Sequence, residues 1–246
     1  MMAYTRTYDI PYFLVDQNRN LRITALMQFL EDMAIRHSEE CGVGLDFYAE
    51  QQVAWVLAKW DIEIFKLPEF NELIHVLTQP VSFRSISGFR HFRVTDEQEN
   101  LLATANSLWI LIDMKRKRPI PVSETLIRAY GLAPDQKTPL PIQAPKPPEN
   151  DHYLTHITIR PGDIDTNQHV NNIRYAEWAL DSLPVDFTAG KKVKRILVDY
   201  RKELREGDDV TVKADVNGQD GILVSRHTIS GGTTAACHVN FFWENV

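Results

Sequence analysis

Cysteine is scarce in this sequence of 246 residues, which contains only Cys41 and Cys237. A small fold held together by disulfides, or a zinc site with the usual closely spaced ligands, needs more cysteines than this. We therefore predict two free thiols in a reducing compartment. No pattern in the sequence requires a metal ion or another cofactor, and we expect none.

Long apolar runs are also missing. No stretch approaches the roughly 18 uninterrupted apolar residues that a membrane-spanning helix requires. The first residues, MMAYTRTYDIPYFL, lack the basic region, apolar stretch and cleavage site of a secretory signal. We expect a cytoplasmic protein without a membrane partner.

Positive charge is in the minority, because 27 lysines and arginines face 33 acidic residues and the net charge is -6. General attraction to nucleic acid or to an anionic membrane needs a positive field, so we expect neither as a partner. Two local basic runs, 115–118 and 191–195, are exceptions. Each run is either a solvated face or a contact for an acidic protein.

A proline-rich segment divides the chain. Residues 132–150 read LAPDQKTPLPIQAPKPPEN and hold six of the 13 prolines, a composition that neither continues a helix nor supports a sheet ladder. We predict a linker at 132–150 between an N-terminal repeat, 1–131, and a C-terminal repeat, 151–246.

The same order of elements can be read on both sides of the linker. In the first half a strand precedes a helical pattern whose apolar face includes Leu26, Leu30 and Ile35, and four strand-like segments follow. In the second half an alternating strand leads into a helix at about 170–183, stopped by Pro184, before four more strands. This repetition indicates an internal duplication. The fold class is α+β, with antiparallel sheet wrapped around two long central helices that are hydrophobic on most sides.

Short residue matches support the duplication. The runs DQNRN and DTNQH both precede a predicted helix and both read Asp-x-Asn-x-polar. An ungapped alignment of EIFKLPEFNELIHV with DYRKELREGDDVTV places Leu67 on Glu203. The first copy thus has Asn20 and Leu67 where the second has His169 and Glu203. Only the second copy keeps a full set of reactive side chains.

The most informative stretch is RPGDIDTNQHVNNIRYAEW, residues 160–178, in which acid, amide and imidazole groups crowd into a loop that feeds a helix. Unpaired amide hydrogens and the dipole at a helix amino terminus would stabilise an oxyanion, which suits acyl transfer. A thioester fits this chemistry because a thiol with a pKa of about 8.5 leaves readily as thiolate. The predicted oxyanion donors are the amides of Val170, Asn171 and Asn172. The predicted water-activating set is Asp165, Asn167, His169 and Glu203.

The run Asp-x-Asn-x-His-Val-Asn-Asn, followed by Tyr-Arg-x-Glu, resembles the acyl-acyl carrier protein thioesterases of plants and bacteria, which have a tandem (double) hotdog fold. In the first half AWVLAKWDIEI, GFRHFRV and ATANSLWILIDMKRKRPIPV are also similar to that family. The resemblance covers nearly the whole chain. It implies hydrolysis of fatty acyl-acyl carrier protein to free fatty acid and holo-carrier, which ends fatty acid synthesis.

The resemblance also implies a division of labour and a partner. The acyl chain would lie largely against the first half, where Trp55 and Trp109 are candidate contacts, although a core position is the preferred interpretation of both. The second half would perform the reaction. The implied partner is acyl carrier protein bearing an acyl-4′-phosphopantetheine group, and the family also suggests a homodimer. The carrier would dock on one of the basic runs, and the preferred residues are Lys191, Lys192, Lys194 and Arg195.

By the same resemblance, Asp165, Asn167 and His169 match the family's loop residues, and Glu203 matches the acidic residue of its Tyr-Arg-x-Glu segment. Glu203 and His169 would activate a water molecule, and Asp165 would orient or charge the site. Asn167 would hold the carbonyl or the water.

One position departs from the family pattern. Plant members carry a cysteine directly after that glutamate, and this sequence has Leu204. Cys237 lies in an alternating strand pattern without a link to the motif, so a covalent cysteine mechanism has no nucleophile here. We therefore expect water to attack the thioester.

Three other functions remain open. Acyl-CoA thioesterases of the hotdog class have an Asp-x-Asp loop like Asp163-Ile164-Asp165. Hotdog hydratases space aspartate and histidine five apart, whereas here the interval from Asp165 to His169 is 169 − 165 = 4. A non-catalytic acyl-binding protein is suggested by the degenerate first half, although the intact second set argues against it. No Gly-x-Ser-x-Gly elbow, phosphate loop or dinucleotide fingerprint is present, which weakens the serine-hydrolase and nucleotide-binding interpretations.

Overall fold

The computed structural model describes residues 3–133, 140–219 and 222–245. These residues form two compact units. The first unit comprises the chain up to Ala58 together with Ile64–Ile142. The second comprises Lys59–Glu63 together with the chain from Gln143 onward.

The first unit is an antiparallel sheet packed against one long helix. Its elements are β1 (Tyr4–Asp9), α1 (Ile23–Glu40), α2 (Leu45–Gln51), β2 (Val53–Ile64), β3 (Leu73–Arg84), β4 (Ser87–Asp96), β5 (Leu101–Asp113), β6 (Arg118–Pro119) and α3 (Glu124–Ala129). The strands lie in the order β1-β3-β4-β5-β2, and β6 pairs with β5.

The second unit repeats this plan. Its elements are β7 (Tyr153–Ile157), α4 (Asn172–Asp181), α5 (Val185–Thr188), β8 (Lys191–Tyr200), β9 (Val210–Gln219), β10 (Ile222–Gly231) and β11 (Thr234–Asn245). The strands lie in the order β8-β11-β10-β9-β7. The segment Lys59–Glu63 of β2 pairs antiparallel with β8, from Lys59 opposite Asp199 to Glu63 opposite Arg195.

Helix α1 presents one apolar stripe to the sheet. Leu26, Leu30 and Met33 recur at helical spacing and are fully buried, and the helix packs against β3. Ile35 was predicted on this face, but it is 45% exposed, so that prediction is wrong. Each residue turns a helix by about 100°, which takes Ile35 away from the buried Ala34 and toward solvent.

Helix α4 is shorter than the predicted 170–183. It begins at Asn172 because the Asn171 side chain caps it, accepting a hydrogen bond from the Ile173 amide at 2.9 Å. It ends at Asp181, three residues before Pro184. The prediction that both long helices are hydrophobic on most sides is also wrong. Helix α1 exposes Gln28, Arg36, Glu39 and Glu40, and the buried residues of α4 do not include Arg174, Glu177 or Asp181.

Short elements account for most of what the sequence did not predict. Helices α2, α3 and α5 have seven, six and four residues, too few to show helical periodicity. Helix α3 does carry a local signal, because the Ser123 hydroxyl accepts from the Leu126 amide at 3.3 Å. None of the helices in the described ranges combines the length and the apolar character that crossing a bilayer requires.

The internal duplication extends to individual hydrogen bonds. The Leu21 amide donates to the Pro68 carbonyl at 2.7 Å, and the Val170 amide donates to the Leu204 carbonyl at 2.8 Å. Both bonds fasten the loop before the helix to the segment after the second strand. This correspondence places Leu67 on Glu203, in agreement with the ungapped sequence alignment.

The predicted linker is held along part of its length. Residues 134–139 lie outside the described residues. Further on, the Gln143 amide donates to Asp61 at 3.0 Å, the Lys146 amide donates to the Asn240 side chain at 2.8 Å, and the Glu149 amide donates to Asp215 at 2.7 Å. Residues 143–150 therefore lie along the second unit through side-chain acceptors that replace a sheet ladder.

Candidate active site

The loop before α4 is held by backbone contacts at its two ends. A short helical turn, Pro161–Asp163, precedes it, and Ile164 bridges to Val170 across it. The carboxylate of Asp163 accepts from the Arg160 amide at 2.8 Å and pairs with Arg174 at 3.1 Å. These contacts leave residues 165–169 as a tight turn facing solvent.

The Asp165 carboxylate shapes this turn. Its Oδ1 atom accepts from the amides of Asn167 at 2.8 Å and His169 at 3.2 Å, an arrangement typical of aspartate-initiated turns. Gln168 adopts a positive φ of 63°, which the turn requires. The described contacts of Asp165 thus orient the loop that carries His169.

Residues His169 and Glu203 come together. Glu203 Oε2 lies 2.9 Å from His169 Nε2, and the two side chains are 49% and 17% exposed. Their backbones are fixed as well, because Leu204 accepts from the Val170 amide at 2.8 Å and donates to the Tyr175 hydroxyl at 3.1 Å. The pair is therefore positioned by buried neighbours, while the Glu203 side chain stays half exposed to water.

Sequence reasoning missed Arg205. Its Nη2 atom lies 3.1 Å from His169 Nε2 and 3.7 Å from Glu203 Oε2. A signal for it exists, because residues two apart in an extended chain project to the same side and Arg205 follows Glu203 by two. The side chain is 63% exposed, so it can move without breaking core contacts.

His169 Nε2 therefore has two partners that it cannot satisfy together. A guanidinium only donates and a carboxylate only accepts. When Nε2 carries a proton it bonds to Glu203, and when it is bare it accepts from Arg205. The neutral ring can thus adopt two tautomers. In one the hydrogen lies on Nε2 and is donated to Glu203, and in the other it lies on Nδ1 while Nε2 accepts from Arg205.

The predicted oxyanion donors are only partly available. The Val170 amide donates to the Leu204 carbonyl and the Asn171 amide donates to the Asp163 carbonyl, both at 2.8 Å. These two amides are engaged in holding the loop, which sequence reasoning did not foresee. Asn172, the first residue of α4, stays a prediction as a donor.

The predicted acyl contacts lie in the first unit. Trp55 stacks on Phe83 with ring centroids 5.7 Å apart. Gly88 permits this stack, since a Cβ atom there would lie 3.2 Å from the Trp55 ring and 3.0 Å from the Phe83 ring. Trp109 donates from Nε1 to the Ser107 hydroxyl at 2.7 Å. Both tryptophans are half-buried, and their role with substrate stays a prediction.

The preferred docking residues have partners of their own. Arg195 makes a paired contact with Asp61, both distances being 2.9 Å, and this hydrogen bond raises the pKa of Arg195. Lys191 donates to the Phe187 carbonyl at 2.7 Å, and Lys194 lies 3.6 Å from Glu244. Lys192 is exposed. Two carboxylates distant in sequence, Asp61 and Glu244, thus pair with cations of this run. All four residues of the run 115–118 are exposed, and Arg116 lies 3.9 Å from Asp113.

Neither cysteine belongs to this site. Cys237 is buried on β11, and its burial raises the pKa of its thiol well above the usual value. Both cysteines are free, as predicted. Within residues 3–133, 140–219 and 222–245, no group of three or more histidine, cysteine, aspartate or glutamate side chains is close enough together to hold a metal ion.

Comparison with known proteins places this geometry in a family. The acyl-ACP thioesterase N-terminal domain matches residues 1–130, and the acyl-ACP thioesterase C-terminal domain matches residues 147–245. The chain is 24% identical over 249 residues to oleoyl-acyl carrier protein thioesterase 1 of Arabidopsis thaliana, which covers 91% of this chain and 68% of that protein. It is likewise 24% identical over 249 residues to a dodecanoyl-[acyl-carrier-protein] hydrolase of Cinnamomum camphora, which covers 96% of this chain and 62% of that protein.

Solved structures agree on the fold. A putative oleoyl thioesterase from Lactobacillus plantarum superposes with a TM-score of 0.92 at 22% identity, covering 100% of this chain and 97% of that one. An acyl-ACP thioesterase from Bacteroides thetaiotaomicron superposes with a TM-score of 0.85 at 25% identity, covering 98% of each chain. The fold is the predicted tandem hotdog. Since the two domain models together match most of the sequence, the chain belongs to the acyl-ACP thioesterase family and is a thioester hydrolase.

Proposed function

We propose that the chain hydrolyses fatty acyl-acyl carrier protein with water as the nucleophile and His169 and Glu203 as the activating pair. The observation that carries this proposal is the 2.9 Å contact between the two side chains. The products are free fatty acid and holo-carrier, so the reaction ends fatty acid synthesis. Family membership supports the substrate class.

The pair supplies what thioester hydrolysis needs. It accepts one proton from water as the new carbon–oxygen bond forms, which gives a tetrahedral oxyanion. The carbon–sulfur bond then breaks, and the thiolate of phosphopantetheine leaves. Because a thiol has a pKa of about 8.5, the thiolate leaves without help and takes up the proton afterwards.

Water is favoured over a covalent nucleophile. Leu204 occupies the position after Glu203 and has no reactive group. Cys237 is buried with a raised thiol pKa, which makes it inert toward a thioester. The exposure of Glu203 admits a water molecule to the pair.

Residues around the pair take supporting roles in this proposal. Asp165 holds the loop through its two amide contacts, and the exposed Asn167 faces solvent where it can hold the thioester carbonyl or the water. Arg205 places a positive charge beside the pair, where the oxyanion develops. The Asn172 amide is the remaining helix donor.

The carrier, rather than coenzyme A, is the proposed acyl donor. The family supports this choice, and the four exposed cations of the run 115–118 offer a surface for an acidic carrier. We further propose a cytoplasmic location and a homodimer. Fractionation of cells and sedimentation of the purified protein test these two points.

Steady-state assays of two variants test the proposal. Glu203→Gln removes the carboxylate of the pair, and Asp165→Asn removes the loop charge. Glu206→Gln is the matched control, because Glu206 is an exposed glutamate on the same segment. We expect the control to keep wild-type turnover of acyl-carrier. Activity within about threefold of wild type in both Glu203→Gln and Asp165→Asn is too small a loss for catalytic groups and rejects the proposal.

A further inference from the structure

The first unit contains a cationic cluster that the reaction does not use. It is centred on Arg90 of β4, whose Nη1 atom lies 3.0 Å from His37 Nδ1 and 3.1 Å from Thr78 Oγ1. The guanidinium carbon lies 5.6 Å from the centroid of the Tyr130 ring. Arg90 is only 6% exposed and His37 only 1% exposed. We call these four residues the buried cationic cluster.

The hydrogen bonds of the cluster fix the protonation of His37. A guanidinium can only donate, so His37 Nδ1 accepts from Arg90 and the ring proton sits on Nε2. Burial, together with the charge of Arg90, lowers the pKa of His37 to about 4, so the ring is neutral at pH 7. His37 Nε2 is therefore a hydrogen-bond donor. Among the described residues it has no acceptor, although it is buried.

The charge of Arg90 also lacks a counter-charge. No ion pair found within the described ranges includes Arg90, and its contacts are a neutral imidazole, the hydroxyls of Thr78 and Tyr130, and the aromatic face of Tyr130. Burial lowers the pKa of Arg90, yet an arginine stays protonated in proteins. Buried charges are normally paired, because removing them from water is costly. The cluster thus offers a positive charge and a spare donor, which an oxygen atom would satisfy.

A run of aromatic rings connects this cluster with the predicted acyl contact. Trp55 stacks on Phe83 at 5.7 Å, Phe83 packs on Tyr130 at 5.6 Å, and Tyr130 meets the His37 ring at 5.7 Å. Phe83 and Tyr130 belong to one apolar group against which Trp55 packs. These contacts form one series of rings from Trp55 to His37 beside Arg90.

We propose that the buried cationic cluster recognises an oxygen function on the distal part of the acyl chain. This proposal rests on the proposed function, since it assumes that the first unit holds the acyl group. The ligand class is a fatty acyl group whose far end carries a hydroxyl or a carboxylate. A carboxylate fits best because it supplies both an acceptor for His37 and a counter-charge for Arg90.

Matched substrates test the proposal. Methyl-terminated, hydroxyl-terminated and carboxyl-terminated acyl groups of one chain length are loaded on the same carrier, and kcat/KM is measured for each. For wild type we expect the oxygen-bearing chains to exceed the methyl-terminated chain by about tenfold or more, as a hydrogen bond to a charged group provides. His37→Phe removes the Nε2 donor but keeps a ring to stack on Tyr4, which lies 5.7 Å away. In this variant the ratio of kcat/KM for the oxygen-bearing chains to kcat/KM for the methyl-terminated chain should be close to one.

Controls separate recognition from folding. Arg90→Met removes the charge and should also abolish the preference, with its thermal midpoint recorded. If that variant does not fold, His37→Phe decides alone. His91 follows Arg90 on β4 and bonds to Asn106 rather than to the cluster. The control variant His91→Phe should therefore keep the wild-type ratio. A wild-type ratio near one, or an unchanged ratio in His37→Phe, overturns the proposal.

A binding assay keeps this result independent of turnover. Calorimetric titration needs no hydrolysis when the three fatty acids are used with the carboxyl group that would form the thioester blocked as a primary amide, so that the methyl-terminated acid carries no carboxylate. If no acyl-carrier is cleaved, the proposed function fails, and the titration still reports on the cluster. Tighter binding of the oxygen-bearing acids to wild type, lost in His37→Phe, supports the site. Equal affinity for all three acids overturns it.

Discussion

The Oε2 atom of Glu203 lies 2.9 Å from the Nε2 atom of His169, although the two residues are 34 positions apart in the chain. The contact exists because the Val170 amide bonds to the Leu204 carbonyl, which ties the loop before α4 to the segment after β8. The first repeat has the same backbone bond between Leu21 and Pro68, yet it lacks the two reactive side chains. The duplication thus preserved the backbone bond, whereas the His169–Glu203 pair occurs in the second repeat.

The two repeats provide a natural control for Asp165. Asp16 accepts from the amides of Asn18 at 2.8 Å and Asn20 at 3.0 Å, as Asp165 does from Asn167 and His169. We expect Asp16→Ala and Asp165→Ala to lower the free energy of unfolding by a similar amount, about 1–3 kcal/mol. Only Asp165→Ala should reduce turnover. Denaturant titration and steady-state assays measure both effects. Equal losses of turnover would assign Asp165 a purely structural role.

Arg205 should act on turnover more than on substrate affinity. It lies 3.1 Å from His169 and is mostly exposed, so its loss leaves the fold intact. For Arg205→Met we expect kcat to fall by about tenfold with KM little changed, because the charge is needed where the oxyanion develops. Arg205→Lys should recover part of this loss. An effect confined to KM would instead make Arg205 a substrate-binding residue.

The exposed basic run 115–118 should contribute to carrier recognition. The double variant Lys115→Glu with Lys117→Glu reverses two charges on the turn between β5 and β6. We expect KM for acyl-carrier to rise, and more so at low salt, because surface charges act over a Debye length of about 10 Å at 0.1 M ionic strength. Turnover of acyl-coenzyme A should not change. Lys192→Glu serves as the comparison on the run 191–195. If it raises KM for acyl-carrier more than the double variant does, the carrier docks on the run 191–195 instead.

Stability should fall at acidic pH because of His227. This residue is fully buried between the hydroxyls of Ser182 at 3.2 Å and Ser225 at 3.0 Å, and its burial lowers its pKa to about 3. The folded pKa lies below the unfolded value of about 6.5, so the unfolded state binds the proton first. Stability from neutral His227 is complete above pH 6.5 and is lost as the pH falls toward 3. The expected slope is about 1.4 kcal/mol per pH unit.

Denaturant titrations between pH 7 and pH 4.5 check this dependence. His227→Gln keeps a polar group for the two serines but does not titrate. The free energy of unfolding of this variant should therefore fall less steeply with pH than that of wild type, and the difference in slope should correspond to about one bound proton. Parallel declines would show that His227 gains its proton in the folded state as readily as in the unfolded state.

Much of the fold could be predicted from periodicity. Alternation and helical spacing located the long strands and α1, and the polar loop before α4 stood out because its composition exceeds what capping needs. Arg90 could have been found in the same way, since it shares the alternating buried face of β4 with Phe92 and Val94. A charge on that face conflicts with the pattern of a core strand.

Other features could not be read from local pattern. The Asp61 contact that occupies Arg195 joins residues 195 − 61 = 134 apart, and no periodicity reports such a pairing. The engagement of the Val170 and Asn171 amides likewise depends on where distant carbonyls lie. Local pattern therefore does not show which donors and cations already have partners within the protein.

A double-mutant cycle on His169 and Glu203 tests the central claim most directly. The cycle compares kcat for acyl-carrier in wild type, His169→Ala, Glu203→Gln and the double variant. If the two side chains activate water as one unit, each single change should reduce kcat by about 10²–10⁴-fold, and the double variant should lose little more than the worse single variant. Losses that multiply in the double variant, or single losses below about threefold, would contradict a shared role for this pair.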